Sequence, residues 1–241
     1  MTVTVRAVPM LTDNYAWLLR DNATGKTGII DPAEATPLMD ILAEHGEGLD
    51  FIFLTHHHAD HIGGVAALVE HYQPRVIGHK ADAARLPKLD EPVGEGSVVA
   101  FGASRLRVIE TPGHTLGHIA FYVEDGGILL PGDTLFSLGC GRLFEGTAAQ
   151  MFQSLAKFRY LPDTTLVCAG HEYTASNAKF ALAVDPQNAA LKKRVEEVTA
   201  LRAQGLPTLP VSLGQERATN PFLRAASAEE FANLRLAKDK F

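Results

Sequence analysis

The chain has 241 residues, a formal charge of −6 from 22 basic and 28 acidic side chains, and two cysteines. That length fits one main domain with a small appendage, and a chain that buries roughly 70–75% of its unfolded surface needs neither disulfides nor a metal merely to fold. The acidic balance, with no Lys/Arg-rich run, argues against a nucleic-acid or anionic-membrane surface as partner. The first residues lack a charged segment followed by an apolar one, no apolar run reaches the length of a membrane span, and only Cys140 and Cys168 are present. A monomer in a reducing cytoplasm is expected.

In chain order, short apolar runs bounded by Gly, Pro and Asp predict strands at 3–8, 15–19, 28–30, 50–54, 76–78, 97–101, 106–109, 118–123 and 128–130, with a further one at 165–167. Between the third and fourth, Pro37–His45 predicts a helix with Thr36 as its cap and Gly46 as its stop. A second helix is expected over Ile62–His71, and a third over 148–159, where Thr147 and Gln150 form a capping box. After Ala169 the pattern becomes almost all helix: 188–204 places Leu191, Val195, Val198 and Leu201 on one stripe, and Ser227 with Glu230 caps a last helix reaching about residue 238. The fold class is α+β, with a layered sheet domain over 1–169 and a helical domain over 170–241.

The run THHHADH, residues 55–61, carries four histidines and an aspartate. It follows a predicted buried strand, so His56 and His58 leave the strand end two positions apart, on one side of an extended chain. Asp60 and His61 fall where the chain turns towards a helix and suit a neighbouring ion, whereas His57 points the other way and is expected to be a non-ligand. Four crowded imidazoles must be kept largely neutral, which metal ligation requires. Further along, TPGHTLGH, PGD and CAGHEY place His114, Asp133 and His171 just past three other predicted strands. Strand ends at one sheet edge can converge.

Five histidines and two aspartates are too many for one catalytic zinc, which usually takes three protein ligands and an open position. Two divalent ions fit if Asp133 bridges them, with His56, His58 and His114 around one and Asp60, His61 and His171 around the other. Zinc suits this N/O donor set, with iron or manganese as alternatives. Such a pair supplies a hydroxide nucleophile and polarises a carbonyl, so hydrolysis of an acyl or phosphoryl bond is expected, with Asp60 and Asp133 as its carboxylates. Cys140, between glycines, is read as a loop residue rather than a nucleophile, and Asp31 as a strand-end turn residue. His45, His71 and His79 read as surface or helix-end residues, and His118 as a structural or supporting one.

HHHADH, TPGHTLGH, PGDTLF and GHEYT, in this order, resemble the metallo-β-lactamase superfamily. PMLTDNYAWLL, GCGRLFEGTAAQM, GHEYTASNAKFA, NPFLR and LRLAKDKF extend the likeness over nearly the whole chain to its glyoxalase II, or hydroxyacylglutathione hydrolase, family. The resemblance implies an αββα sandwich with a binuclear metal site at one edge, held by His56, His58, Asp60, His61, His114, Asp133 and His171. It also implies a small C-terminal helical domain that helps to bind glutathione thioesters, with contacts from Arg142, Phe144, Tyr173, Arg235 and Lys238. The implied reaction is hydrolysis of S-D-lactoylglutathione to glutathione and D-lactate by a metal-bridging hydroxide, the second step of methylglyoxal detoxification. Family members carry Lys at the position of Arg142 and Tyr at that of Phe144, so charge is kept at the first position and a hydroxyl is lost at the second. A persulfide dioxygenase or a lactonase on the same sandwich is the alternative enzyme, and a closed, non-catalytic metal module the alternative of another class.

Overall fold

The computed structural model describes residues 2–241. Its first sheet runs, in spatial order, β1 (Val3–Met10), β2 (Asn14–Asp21), β3 (Thr27–Ile30), β4 (Phe51–Phe53), β5 (Arg75–His79) and β6 (Glu91–Val93). Strands β1 to β3 pair antiparallel and β3 to β6 pair parallel. Parallel neighbours need crossovers: α1 (Thr36–His45) between β3 and β4, α2 (Ala59–Ile62) and α3 (Val65–Tyr72) between β4 and β5, and a loop with a short 3-10 turn at Lys80–Asp82 between β5 and β6.

The second sheet begins with β7 (Val98–Phe101), β8 (Ser104–Glu110), β9 (Ile119–Val123) and β10 (Ile128–Leu130). A small hairpin, β11 (Leu135–Phe136) and β12 (Gly139–Cys140), and helix α4 (Ala148–Lys157) follow. Strand β13 (Leu166–Val167) then pairs parallel to β10. Helices α5 (Thr174–Val184) and α6 (Ala189–Ala203), strand β14 (Val211–Ser212), and helices α7 (Leu213–Thr219), α8 (Pro221–Arg224) and α9 (Ala228–Lys240) complete the chain.

Apolar side chains from both sheets meet in one core, with Trp17, Leu19, Ile30 and Phe53 facing Phe101, Leu106, Val108 and Phe121. The Phe53 and Phe121 rings pack edge to face 5.3 Å apart, the arrangement aromatic quadrupoles favour. The outer face of the first sheet, through Ala16, Leu18, Ile29 and Ile52, is covered by Leu38 and Leu42 of α1 and by Val65 and Leu68 of α3. Met151 and Leu155 of α4 pack with Phe222 and Phe231 of α8 and α9 on the other side. The layers therefore stack as helix, sheet, sheet, helix. Among the described residues no helix is long and apolar enough to cross a membrane.

Several local expectations are corrected. At α1 the chain is already helical at Ala35, so Thr36 lies inside the first turn and makes no cap bond, while Gly46 stops the helix in the left-handed region at φ 64°. The helix expected over 62–71 is broken into α2 and α3 at Gly63 and Gly64, because the backbone of Ala33–Ala35 passes so close that a Cβ at either glycine would sit within 2.6 Å of it. The Thr147–Gln150 capping box forms as expected. Ser227 also caps its helix, but the Glu230 carboxylate accepts from Ala226 N–H rather than completing the reciprocal bond. The segment after Ala169 is not purely helical: β14 pairs antiparallel with β13 and extends the second sheet. His79, expected at the surface, is buried at the end of β5 between Gly117 O and Glu110 Oε1.

Candidate active site

The loops that follow β4, β8, β10 and β13 meet at one edge of the sandwich. They bring His56, His58, Asp60, His61, His114, Asp133 and His171 together. Potential ligand atoms of His56, His58 and His114 all lie within 4.8 Å of one another, and so do those of Asp60, His61 and His171. The His58 Nδ1 atom is 3.0 Å from both His56 Nε2 and His114 Nε2. Asp133 faces both groups: its Oδ2 is 3.4 Å from His114 Nε2 and 3.4 Å from His171 Nε2, and its Oδ1 is 3.5 Å from His61 Nε2.

Hydrogen bonds on the outside of the rings determine which nitrogen is free inside. The Thr55 hydroxyl donates to Asp31 Oδ2 at 2.6 Å, so toward His56 it can only accept, and His56 Nδ1–H is the donor, at 3.0 Å. His61 Nδ1–H donates to Asp31 Oδ2, His114 Nδ1–H to Arg142 O, and His171 Nδ1–H to Asp13 Oδ1. Four rings therefore turn Nε2 inward. His118 differs: its Nε2 accepts from the backbone N–H of Asp133 and its Nδ1 lies 2.8 Å from the Thr111 hydroxyl, so both nitrogens are occupied and the ring props up Asp133. His57 points outward to Asp82.

A third close grouping, Asp31 with His56 and His61, is better read as a supporting contact, since both Asp31 oxygens already accept from Thr55 and His61. Asp31 is thus more than a turn residue. It sits at φ 52°, a left-handed conformation that aspartate tolerates better than most residues.

Electrostatics divide the histidines. Burial, with the neighbouring imidazoles, lowers His56 well below the ordinary histidine pKa, and burial likewise lowers His58 and His114. Burial also opposes charge on His61 and His171, but the Asp133 carboxylate outweighs it and raises both. Asp133 is held well below the usual carboxylate range, His61 and His171 overcoming its burial, and Asp60 is lowered against its own burial by His61 and the Asn14 amide. His61 Nε2 and Asp133 Oδ1 are buried atoms without a hydrogen-bond partner.

The site opens into a cavity of about 590 Å³. His58, Asp60, His114, Asp133 and His171 form its floor, and Phe136, Arg142, Phe144 and Tyr173 its walls. The Phe144 ring stands edge-on to His58 and His114, with centroids 5.6 and 5.2 Å away, and the Tyr173 ring stacks on His171 at 4.6 Å. Arg235 and Lys238 do not line this cavity. The Arg235 guanidinium is buried, donates to Cys140 O and Asp239, and lies over the Phe222 ring. Lys238 lies between the Phe180 and Phe241 rings with its Nζ near Ser176 O. Sequence reasoning missed Asp13 and Asn14, which the β1–β2 turn carries to His171 and Asp60. Their Thr-Asp-Asn context reads as any hairpin turn.

Residues 11–171 match the model of the metallo-beta-lactamase superfamily, and 172–241 match that of the hydroxyacylglutathione hydrolase C-terminus. A protein from Ruegeria pomeroyi named hydroxyacylglutathione hydrolase is 50% identical, over 100% of both chains. The chain belongs to the hydroxyacylglutathione hydrolase family of the metallo-β-lactamase superfamily. Among solved structures, ETHE1 from Myxococcus xanthus superposes with a TM-score of 0.74 at 28% identity, covering 97% of this chain and 90% of that one. TTHA1623, solved in a di-iron-bound form, gives 0.60 at 31% identity over 70% of this chain and 91% of its own. All seven converging donors lie in the first matched region, which His171 ends, and the second contributes Tyr173 to the cavity wall.

Proposed function

We propose that this chain hydrolyses S-D-lactoylglutathione and related 2-hydroxyacyl glutathione thioesters to glutathione and the hydroxy acid, using two divalent cations. One observation carries the reading: four imidazoles donate their outer N–H to protein acceptors and turn Nε2 inward, three of them to within 3.5 Å of a single aspartate. The donor set fits cations, because the unpartnered His61 Nε2 and Asp133 Oδ1 are buried atoms that a cation would satisfy. His56, His58 and His114 would hold one ion, Asp60, His61 and His171 the other, with Asp133 shared. Zinc is our assignment, and iron and manganese suit the same thiolate-free donors; a similar protein is described in a di-iron form.

When bound, the ions supply Lewis acidity, lowering the pKa of water from about 15.7 to about 7 and polarising the thioester carbonyl. The chain's own residues do the rest. Asp60 and Asp133 are ionised at neutral pH and bring negative charge to the floor of the cavity. Arg142, with a largely exposed guanidinium, offers a cation to the glutathione carboxylates on a net-acidic protein. Phe144, beside His58 and His114, and Phe136, beside His171 and Tyr173, supply apolar lining to the cavity. Tyr173, stacked on His171, lines the cavity. The leaving thiolate, with a thiol pKa of about 8.5, departs without a strong proton donor. Lys238 sits outside the lining and is assigned a peripheral charge at most.

Steady-state hydrolysis of S-D-lactoylglutathione by metal-counted protein, beside the same acyl group on N-acetylcysteamine, tests this. Fast turnover of the glutathione ester alone, with about two metals per chain, is the expected result. Equal turnover of both esters would remove the glutathione assignment, and one metal per chain would remove the binuclear one.

A further inference from the structure

His57 is the histidine of the 55–61 run that the hydrolytic site leaves unused. Its Nδ1 is 2.9 Å from Asp82 Oδ2 and its Nε2 3.7 Å from Glu145 Oε1. Asp82 is almost fully buried, and its other oxygen accepts from Arg85 Nε at 2.6 Å. The Arg85 guanidinium then spans both oxygens of Glu145, and Glu145 Oε2 also accepts the Leu116 N–H at 2.7 Å. One polar network thus ties four separate segments together, around residues 57, 82–85, 116 and 145.

The tie bears on the segment that faces the substrate cavity. Residues 141–146 form neither helix nor strand. They are held by His114 O, which accepts from Phe144 N and Glu145 N at 3.2 and 3.3 Å, by Gly146 N donating to Gly113 O, and by His114 Nδ1 donating to Arg142 O. Phe144 is 62% exposed and touches the site through the edges of His58 and His114, and the Arg142 side chain is 65% exposed with one long ion pair, to Asp239 at 3.8 Å. Their position depends largely on the backbone, and the Glu145 carboxylate anchors that backbone through hydrogen bonds to Arg85 and Leu116 N–H. An exposed ion pair by itself stabilises little; a bidentate Arg–carboxylate pair fixes geometry as well, and here Arg85 is oriented by a buried aspartate.

We infer that Arg85 and Glu145 are positioning residues that set the place of Arg142 and Phe144 against the glutathione moiety, with Asp82 and His57 orienting Arg85 and Glu145. This rests on the hydrolase reading above. Full-length, metal-counted wild type, Arg85→Ala, Glu145→Gln and the double variant are assayed with S-D-lactoylglutathione and with the N-acetylcysteamine thioester of the same acid. Each single variant is expected to raise KM for the glutathione ester roughly tenfold while kcat stays within about twofold, since misplacing a substrate-holding group costs binding geometry. The truncated ester should lose less than about twofold in kcat/KM, because it makes no use of the glutathione contacts. The double variant should be no worse than either single one, as members of one network act together. Arg85→Lys, which keeps charge but loses the fork, should fall in between. An unchanged KM in both single variants overturns the inference. So does a parallel loss on both esters accompanied by lower metal content or Tm, which marks a purely structural role. If wild type already treats the two esters alike, the glutathione assignment on which the inference rests has failed.

Discussion

Glu216 offers the sharpest test of how the C-terminal helices hold the active-site loops. Its carboxylate, on α7, is fully buried and accepts from Ser137 Oγ at 2.7 Å, Leu138 N at 2.8 Å and Asn220 Nδ2 at 2.9 Å. Ser137 and Leu138 are the turn of the β11–β12 hairpin, which leads from Asp133 to Arg142. In Glu216→Ala the Asn220 amide keeps Phe136 O and Gly139 O, but the Ser137 hydroxyl and the Leu138 N–H lose their partner. Two orphaned buried donors at about 1–3 kcal/mol each, less the desolvation no longer imposed on the carboxyl, put the loss near 3 kcal/mol. Glu216→Gln keeps one acceptor oxygen, and the Ser137 hydroxyl can turn to accept from the new amide, so about 1 kcal/mol is expected. Burial outweighs the three donors and raises the Glu216 pKa. The folded state therefore holds this proton to higher pH than the unfolded chain does. That contribution is complete below the unfolded value of about 4.3 and is lost as pH rises through the folded one, so wild type should lose stability relative to Glu216→Gln across that window. Urea unfolding of the three proteins over a pH series measures both effects. A Glu216→Ala loss below about 0.5 kcal/mol, or a wild-type/Gln difference flat with pH, would refute the reasoning.

Three further outcomes are expected. Asp13→Ala, which removes the acceptor of His171 Nδ1–H, should weaken metal binding about 10- to 100-fold in a chelator competition while leaving Tm of the metal-free protein within a few degrees; unchanged affinity would make the contact incidental. Prolonged dialysis against a strong chelator should abolish hydrolysis yet leave far-UV circular dichroism intact, because the cores between and outside the sheets are built without the site residues; cooperative unfolding on chelation would point instead to a structural metal. Cys140 is buried and its thiol is pushed up to about 11, and burial raises Cys168 as well. Both should resist an aromatic disulfide reagent at pH 8 and react only after denaturation, and Cys140→Ser should retain hydrolysis. Rapid native labelling of Cys140 with loss of activity would contradict its burial.

How much of this was legible in the residues depends on how far each signal reaches along the chain. His56, His58, His114, Asp133 and His171 each stand just beyond an apolar run, so locating strands also located candidate ligands, and the edge where those strands end brought them together. The Thr147 capping box was readable for the same reason: its two members are three residues apart. Signals that depend on distant backbone were not. The break at Gly63–Gly64 exists because Ala33–Ala35 passes against it, and no local pattern reports that approach. Arg235 shows the converse limit: a cation in a terminal helix reads equally as a ligand contact or a packing group, and its bond to Cys140 O, 95 residues away, has no trace in the local pattern.

The outer acceptors show why the site is more than its inward donors. Asp13 comes from the β1–β2 turn, Asp31 from the end of β3, Thr55 from the end of β4 and the Arg142 carbonyl from the loop after β12. Four elements are needed to turn four Nε2 atoms inward, and none of these acceptors belongs to the ligand set itself. A histidine that donates through Nδ1 to a fixed carboxylate or carbonyl cannot rotate or switch tautomer without losing a hydrogen bond. The order of the metal centre is therefore imposed from outside, by the first sheet and by the loop that also carries Arg142 and Phe144. That loop touches both sides of the chemistry: its backbone orients His114, and its side chains face the cavity. A shift of the 141–146 segment should accordingly alter substrate affinity first, through its exposed side chains, and metal affinity only when the His114–Arg142 bond itself is broken.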